Sequence, residues 1–190
     1  MDLMEQIALY PNIAAAVAKM GKVKKNGFTK KRYAEAEEIL SGIPAEDLQK
    51  LDYEIASAEP LCKTSILTPT AIVYWELSVV YIIPVKDVCW MYTEIVKNTM
   101  NYIFTTGRNH RIWMVDRTGR RHIIFEAFTG PFVKKQPATE ALGKIREKLY
   151  NVRRGIIYGF SHDIDQWFVQ DAAAAAAKVD ADSNLEGSQE

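Results

Sequence analysis

Cysteine and histidine are scarce in this chain: two thiols and three imidazoles in 190 residues. Cys62 and Cys89 stand apart without C-x-x-C spacing, and His110, His122 and His162 are scattered. The paired ligands of a zinc site are therefore missing, and neither metal nor cofactor is expected. Net charge is lacking too, because 24 Lys and Arg residues balance 24 Asp and Glu. No global field draws the chain to nucleic acid or an anionic membrane, so any such binding must come from a local patch. Nucleic acid is a disfavoured partner, since its affinity for proteins rests mostly on phosphate neutralisation. Long hydrophobic runs are absent as well. The longest, Ala71 to Val85, is interrupted by Glu76 and Pro84 and falls short of the roughly 20 residues of a membrane-spanning helix. The opening Met1-Asp2-Leu3-Met4-Glu5 carries acids where a secretory signal carries positive charge. The reading is a cytoplasmic chain, peripheral to a membrane at most, although a piece of a larger membrane protein would look the same.

What is present is a 48% hydrophobic chain with two kinds of periodicity. Leu3, Ile7 and Tyr10, then Ile13, Val17 and Met20, recur at helical spacing, and Pro11 splits them into two short helices or one kinked one. A helix follows from Thr29, the N-cap candidate, to Gly42, expected as a left-handed cap. Pro44 opens another, with Leu48, Leu51, Ile55 and Ala58 as its apolar stripe. Residues 1–58 thus read as an N-terminal helical region that ends before Pro60.

From Lys63 the pattern becomes β-type: Lys63 to Thr68, a turn at Pro69-Thr70, Ala71 to Trp75, and a reversal at Glu76-Leu77-Ser78. Val79 to Ile83 and Val85 to Tyr92 form one long strand or two bent ones around Pro84, which cannot supply a ladder N–H. Met100 to Thr106 and Arg111 to Val115 are two further strands, linked by Gly107-Arg108-Asn109-His110. Asp116-Arg117-Thr118-Gly119 is a hairpin turn leading to Arg121 to Phe125. Six or seven short strands in succession read as an antiparallel barrel or sandwich. After Gly130-Pro131 the helical period returns with Pro137, Leu142, Ile145, Leu149 and Val152, a helix expected to pack on the strands. Ile156 to Phe160 is a short apolar link, and Ser161 caps a helix through Trp167 and Phe168 that the following alanines extend. The expected organisation is α+β: helices over 1–58, strands plus packing helix over 59–152, a helical extension over 153–179, and a disordered tail over 180–190.

Strands at this density followed by one amphipathic helix resemble the pleckstrin-homology-like (PH-like) fold. Ile82-Ile83-Pro84-Val85-Lys86-Asp87-Val88 is similar to the apolar-apolar-Pro-x-x-Asp-Ile strand of bacterial members. Asp116-Arg117-Thr118-Gly119-Arg120 resembles their turn between strands, and Tyr158-Gly159-Phe160-Ser161-His162-Asp163-Ile164 resembles an element of an uncharacterised Firmicutes family of this kind. The resemblance spans about residues 60–170 and implies a bent barrel of about seven strands with a C-terminal helix, and a tendency to bind. It transfers no functional residue. The Lys-x-Arg signature of phosphoinositide-binding relatives has no counterpart, since the first hairpin offers Lys63 and then Pro69-Thr70.

Four sets of residues merit weighing. Cys89 with His122 has the types of a thiol nucleophile and base, but both fall inside strands, so a core cysteine and a surface histidine suffice. His162 between Ser161 and Asp163 suggests a metal until helix geometry is applied, because consecutive positions point apart and acids belong in a first turn. Trp75, Trp90, Trp113 and Trp167 could stack bases, although such residues more often serve core and barrel-face packing. Basic residues gather at Lys19–Arg32 and near two hairpins; from these, Lys24, Lys25, Arg117 and Arg120 are the candidate contacts for phosphates or an acidic partner. The expectation is a non-enzymatic binding or scaffolding module in a bacterial cytoplasm, with an unknown protein or a second copy as partner. The alternative is peripheral binding to an anionic lipid surface through those basic loops. A second alternative is an enzyme of unrecognised class.

Overall fold

The structure, a computed structural model, describes residues 1–100 and 104–184. Its contacts divide the chain into two compact units, Met1–Lys86 and Asp87–Glu190.

The first unit begins with α1 (Leu3–Ala8), α2 (Pro11–Met20), α3 (Lys30–Ser41) and α4 (Ala45–Ile55). Asp2 and Glu5 form a capping box on α1, Asp2 accepting from the Met4 N–H at 3.0 Å and Glu5 from the Asp2 N–H at 2.8 Å. Pro11 does separate two helices, occupying the first position of α2, where its missing N–H costs nothing. Gly42 is a correction: its φ is −81°, ordinary right-handed backbone, because the chain continues directly through Ile43 into α4. Thr29 stands at the N-cap position of α3 but turns its hydroxyl back into the preceding loop, donating to the Lys24 carbonyl at 2.6 Å.

Four strands follow: β1 (Pro60–Cys62), β2 (Ser65–Leu67), β3 (Ala71–Glu76) and β4 (Val79–Pro84), all antiparallel in the order β1-β2-β3-β4. Glu76 pairs with Val79, so Leu77 and Ser78 form a two-residue turn, both with positive φ, as a type I′ hairpin requires. Helices and strands share one core. Leu3, Ile7, Ile13, Leu51, Ile72 and Ile83 are almost fully buried, each contributing about 1.5–3 kcal/mol by leaving water.

Pro84 ends β4, and a 3-10 turn, Val85–Asp87, leads to the second unit. That unit holds β5 (Val88–Met100), β6 (Phe104–Asp116), β7 (Arg121–Thr129), α5 (Pro137–Leu149), β8 (Ile157–Tyr158), α6 (His162–Gln170) and α7 (Ala172–Asn184). Its sheet runs β7-β6-β5-β8, antiparallel apart from the short parallel β5–β8 pair. Helix α5 packs against β5, β6 and β7, as its period predicts. Trp90, Tyr92, Val115 and Phe168 make a buried cluster with Ala175, Ala176 and Val179 of the alanine-rich α7.

Three further expectations are corrected. The strands form two open four-stranded sheets and not a closed barrel. Gly107 to His110 is no loop: β6 passes straight through it, and Gly107 is required because a Cβ there would run into the Phe128 ring of β7. The alanines do not extend α6, since Asp171 interrupts it; they start α7, which continues to Asn184 and so absorbs the first residues assigned to a tail. Residues 101–103 and 185–190 lie outside the described residues.

Candidate functional site

The first unit contains a cleft of about 280 Å³ between α2, the chain after α4, and the β1–β2 hairpin. Its position follows from a cap that joins two helices. Tyr10 at the N-cap of α2 has no side chain suited to the task, and Asp52 of α4 serves in its place. The Asp52 carboxylate accepts from the backbone N–H groups of Asn12 and Ile13 at 2.8 and 2.9 Å and from the Asn12 side-chain amide at 3.0 Å. This holds α2 and α4 side by side. At the other end of α2 the chain passes close to an indole, a Cβ on Gly21 coming within 2.7 Å of the Trp75 ring.

Ala16, Met20, Ile55 and Ile66, all buried, form the apolar part of the lining. Lys19 and Lys63 are exposed at it, and no carboxylate lines it. Neither lysine has an ion-pair partner among the described residues. Half-buried Cys62 also borders the cleft, with its Sγ 3.0 Å from the Ser65 hydroxyl and 3.4 Å from that of Thr64. The volume is below the roughly 300–1,000 Å³ of small-molecule and cofactor sites and suits one or two apolar side chains. Two unpaired ammonium groups beside an apolar lining select a ligand that is apolar with an acidic flank.

The four cations singled out from sequence make the following contacts within the chain. Lys25 pairs with Asp2 at 3.1 Å and lies 4.7 Å over the Tyr33 ring. Tyr33 also donates to Asp2; its hydroxyl is pushed up to about 12 by burial and by that bond, while the Asp2 carboxyl is lowered to about 2 by the bonds from Tyr33 and the Met4 N–H. Lys24 contributes backbone, its N–H donating to the Ser78 carbonyl at 2.8 Å. In the second unit Arg117 bridges Asp87 at 2.8 Å and Asp180 at 3.2 Å. Asp180 also accepts from Arg153 at 2.7 Å, and the Arg153 Nε donates to the Val88 carbonyl at 2.8 Å. Arg120 gives its backbone N–H to Asp116 at 3.1 Å.

His122 is buried and not on the surface. Its Nε2 is 3.0 Å from Asp116, whose other oxygen accepts from the Thr118 N–H at 2.8 Å, the Thr118 hydroxyl at 2.6 Å and Arg120. Burial raises the Asp116 pKa, but the bonds from His122 and Thr118 outweigh it and the net direction is down. This network locks the hairpin turn, with Gly119 at a φ of 80°. Cys89 is fully buried, and that burial pushes its thiol pKa up against the opposing charge of Arg153, which disfavours the thiolate. Of the indoles, Trp90 donates to the Gly159 carbonyl at 2.6 Å and stacks on Phe168, which makes it a packing residue. Among the described residues no three His, Cys, Asp or Glu side chains are gathered as a metal site would need, and no helix is long and apolar enough to cross a membrane.

Sequence reasoning had placed Lys19 in a basic loop and Lys63 at the first hairpin, without bringing them together. Helical spacing put Met20 on the inner face of α2 with Ile13 and Val17, but Ala16 was not singled out, and the gap beside them depends on the α2–α4 separation that Asp52 sets. No family model, curated protein or solved structure matches the chain.

Proposed function

We propose that the chain is a non-enzymatic binding module of the PH-like type, acting in a bacterial cytoplasm, whose first unit receives an apolar segment with acidic flanks from a protein partner. The observation that carries this reading is the pair of unpaired lysines, Lys19 and Lys63, at a cleft with an apolar lining and no carboxylate. Supporting the PH-like assignment is the chain order: four antiparallel strands, a three-stranded meander, then a helix against that meander. Supporting a binding role is the intramolecular use of Cys89, His122 and Asp116, the residue types best suited to catalysis.

The test is fluorescence anisotropy with short labelled peptides that carry a leucine or phenylalanine flanked by glutamates, beside the same peptides flanked by lysines. Acid-flanked peptides bind and lysine-flanked ones do not, and the double variant Lys19→Glu/Lys63→Glu loses that binding. Equal binding of both peptide sets, or indifference to the double variant, defeats the reading. Light scattering on the same samples identifies a second copy of the chain as the partner if the mass doubles with concentration.

A further inference from the structure

Charge is segregated in the second unit although the chain is neutral overall. No acidic residue lies between Glu94 and Asp116, or between Glu126 and Glu140. Glu94 and Glu126 themselves are both engaged by Arg111, at 3.8 and 2.8 Å. Along these two stretches of chain the charges are therefore basic, and beyond Arg111 they are Lys97, Arg108, Lys134 and Lys135. Lys97 and Arg108 are direct cross-strand partners, an arrangement in which like charges repel and β-sheets normally place an acid. None of these four cations has an ion-pair partner among the described residues, and the Arg108 Nε is buried without a hydrogen bond. A like-charged cross-strand pair is relieved when an anion sits beside it.

Apolar side chains are exposed in the same place. Thr129 pairs with Arg108, so the chain leaves β7 beside the Lys97–Arg108 row. It then turns, with the Val133 N–H donating to the Gly130 carbonyl at 3.2 Å. That turn presents Phe132 at 95% exposure and Val133 at 40%, directly before Lys134 and Lys135, while Phe128, lying across Gly107, is 61% exposed. Apolar groups exposed together are what a contact surface needs. Aromatic and aliphatic side chains beside lysines match the layered chemistry of a membrane interface, where apolar groups enter the acyl boundary and ammonium groups stay with phosphates.

We propose that this end of the β5–β6–β7 sheet is a docking surface for anionic lipid, with Phe132 and Val133 entering the interface and Lys97, Arg108, Lys134 and Lys135 holding headgroup phosphates. Its residues are not those that line the cleft of the first unit, and neither reading depends on the other. Nor are they Lys24, Lys25, Arg117 and Arg120 of the basic loops.

The test is co-sedimentation of the full chain with vesicles of phosphatidylcholine alone and of phosphatidylcholine mixed with phosphatidylglycerol. Binding is expected to the mixed vesicles only and to weaken with added sodium chloride. Each lysine near an anionic surface accounts for about a fivefold change in partition, so Lys134→Ala/Lys135→Ala lowers it about 25-fold. Phe132→Ser lowers it as well, whereas Lys50→Ala, on exposed α4, leaves it unchanged. The altered side chains are exposed, so unchanged melting temperatures confirm that the variants remain folded. No binding to mixed vesicles, equal binding to neutral ones, indifference to salt, or full binding by both variants would overturn the proposal. Displacement by inorganic phosphate at matched ionic strength would also overturn it, by assigning the cations to a soluble anion.

Discussion

Asp116 shows how much one buried side chain can organise. It accepts three hydrogen bonds within its own turn and a fourth contact from His122. Asp116→Ala leaves the buried imidazole and the turn N–H groups without a partner and is expected to cost about 3 kcal/mol, measured by urea unfolding. Leu77 and Ser78 lead to the opposite prediction. Both sit at positive φ in a two-residue turn where Asn-Gly is preferred, so Leu77→Asn/Ser78→Gly should stabilise by about 1 kcal/mol and raise the melting temperature. The turn at Asp116 was legible because acid and glycine stand at diagnostic positions. Gly107 was misread for the same reason: glycine signals either a turn or a close approach, and only the Phe128 ring lying against it distinguishes the two.

At the scale of elements, α7 is the part least apparent from pattern. Six alanines provide helix propensity but no amphipathic stripe, and acids and small residues follow them. Its docking comes from partners distant in sequence: Asp180 joins Arg117 and Arg153, and the Ser183 hydroxyl accepts from the Gly155 N–H at 3.0 Å. A Cβ on Gly155 would collide with the Val179 carbonyl and come within 2.9 Å of the Ser183 N–H nitrogen, so no side chain fits between this segment and α7. Gly155→Ala is expected to loosen α7, with a loss of about 1–3 kcal/mol and faster amide exchange confined to Ala172–Asn184 and its contacts. Global exchange with no bias toward α7 would contradict that assignment. The helices α1 to α5, by contrast, were readable from period and proline alone, because each buries one apolar stripe.

For the whole molecule, the paired carboxylates determine the response to acid. The Asp2 carboxyl is lowered from 3.8 to about 2 by Tyr33 and the Met4 N–H, so it contributes stability above its ordinary value. That contribution is lost as pH falls from 3.8 toward about 2, because protonation removes the negative charge that strengthens both bonds. Asp2→Asn should therefore be less stable than the parent at neutral pH, and the two urea midpoints should converge as pH is lowered through that window. A constant gap across it would place the Asp2 contribution elsewhere. Strand density left a barrel or a sandwich open, and the strands form two open sheets, one in each of the units divided between Lys86 and Asp87. Strand count does not report sheet closure, because closure depends on pairing between distant strands and not on their local period.

The sequence by itself determined the α+β class, the amphipathic faces of the helices, the proline and glycine punctuation, and the absence of a long apolar span. All of these are local properties, set by periods of 3.6 and 2 and by the φ preferences of single residues. Tertiary structure alone decided the two open sheets, the continuous β6, the burial of His122 and the docking of α7. It also decided where the cations matter. Lys25 and Arg117, prominent in sequence, are neutralised by Asp2, Asp87 and Asp180. Lys19 and Lys63 meet at a cleft, and Lys97 faces Arg108 across a ladder. The physical reason is that a charge acts through its distance to other charges, and that distance is set by the fold and not by spacing along the chain.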